Sequence, residues 1–285
     1  MKRFHGIGSK DAMIKDAESK AHQFLTDEQC IYTKDGKQHT THQFYHYKSY
    51  EEYEQIHEHK NRHAFEVINS ECKLYFDIEY YESKISTPAT TLFWCDIIPS
   101  IQTHYEKFYG MVLDKDDLYV SGTKPRSEKE TIKWSFHIVI NNGYFVKSNR
   151  DVVEFIKYIK DNEENPDISG SIDIVPYQKN QSFKLPHQSK INSAEYTQNI
   201  IKGEGFKNHL VKRYSHDEFK GYYKPVITKQ LSIKNFTKKE TVNKQPTILD
   251  VGEIITEVDV LVKGSLKDPL AKKLTKLGND DLEWA

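Results

Sequence analysis

Cysteine is scarce in this chain: only Cys30, Cys72 and Cys95 occur among 285 residues. They are far apart and odd in number, so neither a disulfide framework nor a CxxC zinc module can be built from them, and no zinc is expected. No apolar run approaches the roughly 18–20 residues a membrane span needs, and the mean hydropathy of −0.74 agrees. Lys2 and Arg3 follow Met1 with no apolar segment behind them, so the expectation is an intracellular protein without a secretion signal. A GxxxxGK(S/T) phosphate loop is missing too, so the chain alone is not a P-loop ATPase or helicase. Neither charge dominates: 41 Lys+Arg against 42 Asp+Glu leave a net charge of −1. That balance excludes a broadly basic protein coating nucleic acid by charge alone, while permitting a local basic groove.

Aromatic residues, in contrast, are plentiful: 18 Tyr, 14 Phe and 3 Trp suffice for a sizeable core. Ser9 can cap a helix that carries Met13, Ile14, Ala17, Ala21, Phe24 and Leu25 on neighbouring faces. Residues 30–50 read as strands around an Asp35-Gly36 turn, and 51–63 as polar helix or loop. β alternation follows over 65–81, then a helix over 92–109 that bends or starts at Pro99 and stops at Gly110. A strand over 133–140, a helix over 151–160 and a third short strand over 171–175 complete the pattern. Strands and helices mixed without regular βαβ spacing predict an α+β fold. Residues 1–228 are expected to form the folded domain, 229–250 a polar Lys/Thr-rich connector, and 251–285 an amphipathic tail spaced by Leu266, Leu270, Leu274 and Leu277.

Three segments concentrate the chemistry. In 73–80 (KLYFDIEY), Asp77 and Glu79 stand at i and i+2, on one strand face and roughly 6.6 Å apart along the backbone. Such a pair suits hard cations, although an ordinary strand with acids facing water has the same pattern. In 133–137 (KWSFH), Lys133, Ser135 and His137 share one face and Trp134 and Phe136 the other. A cation, a hydroxyl and an imidazole in line match the oxygens of a triphosphate. The third segment, 171–190, places Asp173 between Ile172 and Ile174, both expected to bury, and continues into a Pro-punctuated stretch bearing Lys179, Lys184 and Lys190.

The order of these segments resembles the archaeo-eukaryotic primase superfamily, in particular eukaryotic primase–polymerases and related viral primase–helicases. Residues 63–68 and 72–79 are similar to the block around that family's first motif, 133–137 to its second, and 177–190 to its third. The resemblance spans roughly residues 20–190. It implies an α+β primase catalytic core, with an RRM-like sheet carrying the carboxylates and a second α/β unit. It also implies template-dependent nucleotidyl transfer, with Asp77, Glu79 and Asp173 binding two divalent ions (Mg²⁺ or Mn²⁺). Lys133, Ser135, His137, Lys184 and Lys190 match positions that contact the phosphates of an incoming NTP or dNTP. Gln181 stands where cellular relatives carry Arg, as does Lys184, which keeps the charge but loses bidentate geometry. Phe65 is expected against the sugar, and Lys124, Arg126, Lys179 and Arg213 are candidates for a template groove. The implied partners are single-stranded template and primer at sites of DNA replication, with a helicase or zinc module on a longer protein or a partner; a virus or mobile element fits as source. No membrane partner is expected.

Two other readings of the same residues exist. Phe76-Asp77-Ile78-Glu79 also resembles the first motif of 3′–5′ exonucleases, yet the later HxxxxD or YxxxD helix is lacking: residues 158–161 and 214–217 are each one residue short. A replication-protein docking domain that lost catalysis would lack a metal carboxylate, and none is lost. The histidines at 39, 42, 46, 57, 59 and 63 lack cysteine company or an HExxH frame and read as chance clustering on polar segments.

Overall fold

The computed structural model describes residues 4–5, 9–58 and 61–227, within a compact unit Met1–Ile227. The connector over 229–250 and the tail over 251–285 lie outside the described residues. In chain order, β1 (Phe4–His5), α1 (Ser9–Ser19), β2 (Phe24–Lys34), β3 (Lys37–Tyr47), α2 (Tyr50–His57), β4 (Ala64–Ile68) and β5 (Leu74–Tyr81) come first. Then follow α3 (Ala89–Thr91), α4 (Ile98–Tyr109), β6 (Leu118–Gly122), β7 (Arg126–Glu128), β8 (Thr131–Ile140) and β9 (Tyr144–Phe145). The last are α5 (Asn149–Asn162), α6 (Pro166–Ser171), β10 (Gln181–Lys184), β11 (Asn199–Lys202) and β12 (Gly221–Tyr222). Two antiparallel sheets, β1-β3-β2-β4-β10 and β11-β6-β8-β5 with β7 beside β8, make the fold α+β; β12 and β9 pair separately.

Local chemistry sets these elements. Asp35 and Gly36, both at positive φ, close a two-residue turn that pairs Lys34 with Lys37 and fixes the register of the whole β2–β3 hairpin. Ser148 and Asp151 form a capping box at the start of α5, whose Val152, Phe155, Ile156 and Ile159 are buried. Gly110, at φ 67°, ends α4, and the turn ahead of Pro99 is a π-helical stretch, Leu92–Ile97.

Helices α4 and α5 cover the apolar face of the second sheet. Phe76 and Phe136 meet Phe155 and Phe93 there, at ring distances of 6.0 and 3.9 Å. The opposite face carries the buried Tyr75–Val139 pair at one end and the polar side chains of Asp77, Glu79, Ser135 and His137 beyond it. In the first sheet, α1 lies over Leu25, Phe44 and Val67 through Met13, Ile14 and Ala17. It covers one end of that face and leaves the other open.

Two expectations fail. The first helix stops at Ser19: the amides of Lys20, Ala21 and His22 close back on Ala17 and Glu18, with Ala21 at positive φ. Phe24 and Leu25 therefore start β2 instead of extending the helix. The third strand over 171–175 does not form either. Residue 171 ends α6, Ile172 makes a single bridge to Ile78, and Val175–Tyr177 is a 3₁₀ turn. Asp173 sits in the bend because its amide donates to the Asp77 carbonyl while its carboxylate accepts from the Val175 amide. Ile172 is buried as expected; Ile174 is 48% exposed. Strand β6, unassigned by the sequence reading, completes the second sheet.

Candidate active site

The β5–β8 register does most of the assembly. Asp77 lies opposite His137, Glu79 opposite Ser135, and Tyr81 opposite Lys133, so both carboxylates and the Lys133, Ser135, His137 series share one face. The Asp173 amide bond to Asp77 brings the third carboxylate alongside. Strand β10 contributes Gln181, Ser182, Phe183 and Lys184, held to β4 by the Lys184–Phe65 register pair. All these residues except Tyr81, together with Arg126 and Lys190, line one cavity of about 480 Å³.

The three carboxylates are held differently. Glu79 accepts from the Lys133 ammonium at 2.7 Å, and Asp173 accepts from its own loop at 3.0 Å. Asp77 is 15% exposed in its side chain, and its buried Oδ1 accepts no hydrogen bond; His137 Nε2 stands 3.7 Å away. Burial, together with the charges of Glu79 and Asp173, pushes the Asp77 carboxyl up to about 7. Burial, with Lys190 nearby, brings the Lys184 ammonium down to about 8, against the pull of Asp77 and Glu79. Burial and the same two lysines hold His137 well below the ordinary histidine range, so its ring is neutral, stacked at 4.0 Å on Phe183.

Among the described residues no three carboxylate, imidazole or thiol groups converge into a ready-made metal cage. The donor set nonetheless suits hard divalent cations. It is all oxygen, one buried oxygen lacks a hydrogen bond, and the mutual repulsion of the carboxylates is what a cation would relieve.

Of the four template candidates, only Arg126 lines this cavity. Lys124 is exposed, its ammonium 5.8 Å from the ring of Tyr196, which does line it. Lys179 belongs to a different pocket, beside Lys147 and Arg150 at the start of α5. Arg213 pairs with Glu71 at 2.7 Å and stacks on Phe219 at 4.0 Å, so its guanidinium is engaged in packing the 213–222 segment. Asp217, which the exonuclease reading would need, bonds the buried Lys73 at 2.9 Å and does not line the cavity.

The sequence reading missed Lys10, Asp27, Gln29, His42, Thr123, Ser193 and Tyr196 in the cavity lining. For three of them a signal existed. The Asp35-Gly36 turn pairs Gln29 with His42 and sets Asp27 two residues along on the same face. Among the described residues no helix is long and apolar enough to cross a membrane. Comparison with protein-family models and with curated protein sequences finds no match to this chain.

Proposed function

We propose that residues 1–227 are the catalytic core of a primase–polymerase of the archaeo-eukaryotic primase superfamily. It would join an NTP or dNTP to a 3′-hydroxyl opposite a template strand of DNA. The observation that carries this reading is one part of the cavity: the carboxylates of Asp77, Glu79 and Asp173, from two segments, share it with the basic or imidazole side chains of Arg126, Lys133, His137, Lys184 and Lys190. A hydrolase acting on a neutral substrate has no use for that many cations beside its acids, whereas a metal-bound triphosphate needs both.

In this reading the second sheet is the RRM-like, carboxylate-bearing unit, and the first sheet with α1 is the second unit. Asp77, Glu79 and Asp173 would hold two divalent cations, which when bound supply Lewis-acid activation of the 3′-hydroxyl and charge neutralisation at the leaving pyrophosphate. Lys133, Lys184 and Lys190 neutralise the triphosphate, and Ser135 donates to it. A bound anion favours protonation of His137, which would then serve as a phosphate donor. Phe65 and Gln181 border the same space, where they can meet the sugar and its base. Single-stranded template and primer are the partners, at sites of replication inside a cell, with any helicase or zinc module supplied elsewhere.

The test is incorporation of labelled NTPs and dNTPs on a DNA template with Mg²⁺ or Mn²⁺, with and without primer. Lengthened, template-dependent products are expected from the wild type, with a loss of about 10³-fold or more in Asp173→Ala. Shortening of a labelled 3′ end would replace this reading with the exonuclease, and inertness of the folded wild type would favour a docking domain.

A further inference from the structure

The cavity also holds a group of side chains that the nucleotide chemistry does not use. On the open end of the first sheet, a directed chain of donors crosses three elements. The Lys10 ammonium, in the first turn of α1, donates to Ser182 Oγ at 2.7 Å, and Ser182 donates to Asp27 Oδ2 at 2.6 Å. Asp27 Oδ1 accepts from His42 Nδ1 at 2.6 Å. Asp27 is 4% exposed in its side chain, while that of His42 is 47% exposed. With Nδ1 committed to a buried carboxylate, the His42 ring is locked in orientation, and its Nε2–H is the one donor of the chain left for a ligand in the cavity. The Asp27 carboxylate thus has the Lys10 ammonium at 3.3 Å and the His42 ring on its other oxygen.

The surface leading away from His42 indicates what the ligand is. Beyond the Gln29–His42 pair the β2–β3 ribbon leaves the core, with residues 31–40 exposed on both strands. That ribbon carries Lys34 and Lys37, an exposed Tyr32 stacked on His39 at 5.3 Å, and Asp35 as the sole acid between residues 30 and 43. Its base is tied to the loop of Lys190: Gln29 accepts from the Ile191 amide at 3.0 Å. A fixed donor in the cavity, followed outward by cations and a stacked aromatic pair, is the pattern of a surface that follows a strand. A free triphosphate would be held by the lysines beside the carboxylates.

We infer that His42, positioned by Asp27, Ser182 and Lys10, binds a backbone phosphate of the nucleic-acid strand entering the cavity, and that the exposed β2–β3 ribbon carries that strand outward. This rests on the proposed nucleotidyl transfer for the identity of the cavity, but its test does not require catalysis. Binding of a short fluorescein-labelled DNA single strand is measured by anisotropy across a salt series, and the KM for dNTP is measured separately.

His42→Ala should weaken the strand about tenfold, the loss of one charge-assisted hydrogen bond. It should also lower the slope of log affinity against log salt by about 0.7, one phosphate contact on a single strand. His42→Lys should restore both, and the dNTP KM should stay within twofold. A strand affinity and salt slope unchanged in folded His42→Ala would overturn the inference. A shift confined to the dNTP KM would do so as well, by moving His42 into the nucleotide site, and so would a wild type that does not bind the strand. Strand binding that depends on His42 in a protein inert for incorporation would sustain this inference and remove the polymerase reading.

Discussion

Asp27 and Asp77 lie on the two walls of one cavity, each on a β-strand, and each is largely hidden from water. Asp27 is surrounded by donors, from His42, Ser182 and Lys10. Burial alone would raise its carboxyl, but these partners outweigh it and hold the group below the usual aspartate range. Asp77 has no donor on Oδ1 and two carboxylates for neighbours, and it is pushed up to about 7. The fold has therefore completed one carboxylate with its own donors and left the other with a buried oxygen that no donor reaches. A carboxylate satisfied by the protein serves structure and positioning; one left unsatisfied beside two others is a demand for something from outside.

The same substitution at both positions should separate these roles, and the largest effect belongs to Asp77. Asp77→Asn is expected to cost at least about 10³-fold in template-dependent incorporation, through loss of a metal ligand. Its melting temperature should hold or rise, because an amide relieves burial and repulsion that disfavour the native carboxylate. Calorimetry beside the incorporation assay reads both; a marked drop in melting temperature would mean that Asp77 is part of the scaffold.

Next in size is Lys184→Ala. Removing a buried cation from the nucleotide wall should raise the dNTP KM about tenfold or more while leaving strand affinity within twofold. Strand affinity falling in parallel would merge the two walls into one site and end the comparison.

Asp27→Asn should act in the opposite sense to Asp77→Asn. It strips two cations of their counter-charge and breaks charged hydrogen bonds worth about 1.5–3 kcal/mol. For a domain of this size that is a fall in melting temperature of about 3–12 °C. Incorporation should survive at saturating strand, since neither the metal carboxylates nor the phosphate lysines are touched. Equal melting temperatures for Asp27→Asn and wild type would show that the donor chain contributes nothing to the fold.

How much of this was legible in the sequence follows from the range of the interactions. Asp77, Glu79, Lys133, Ser135 and His137 were readable because strand alternation is a local rule, and the β5–β8 register then places them on one face. Asp173 was found for the wrong reason. Its carboxylate reaches the cavity from a bend tied to the Asp77 carbonyl, a contact across 96 residues that no alternation rule encodes. Arg213 stacks on Phe219, and a basic residue in a loop carries the same sequence signal whether it meets DNA or packs in this way. The Lys10–Asp27–His42 wall was half legible: the turn gives the Gln29–His42 pairing, but Ser182 and Lys10 join Asp27 from 155 and 17 positions away. The membership of the polar β5–β8 face was local information, and the membership of the cavity was not.

The smallest predicted effect is also the finest test of the comparison, because folding shifts the two histidines in opposite directions. The bond to Asp27 raises His42 above its ordinary value of 6.5, outweighing burial and the charge of Lys10. Burial first, then Lys184 and Lys190, takes His137 well below 6.5. Folding therefore favours the charged form of the His42 ring and the neutral form of the His137 ring. A group raised on folding contributes fully below its unfolded value and loses that contribution as the pH climbs through its folded one. Affinity for the DNA strand, and the part of the stability owed to the His42–Asp27 pair, should accordingly be flat below about 6.5 and decline above it. The decline in affinity should amount to a few-fold.

Lys10 from α1 and Asp27 from β2 are the charged groups facing His42 in this window. Lys184, held down to about 8, titrates two residues from Ser182 on β10, so the profile is taken on the strand without triphosphate. Asp27→Asn should move the decline to lower pH, and His42→Lys should abolish it. His137→Gln should leave it where it is, because a ring already neutral across the window has no proton to lose. A profile that followed His137 would place the strand phosphate beside the carboxylates and reverse the assignment of the two walls.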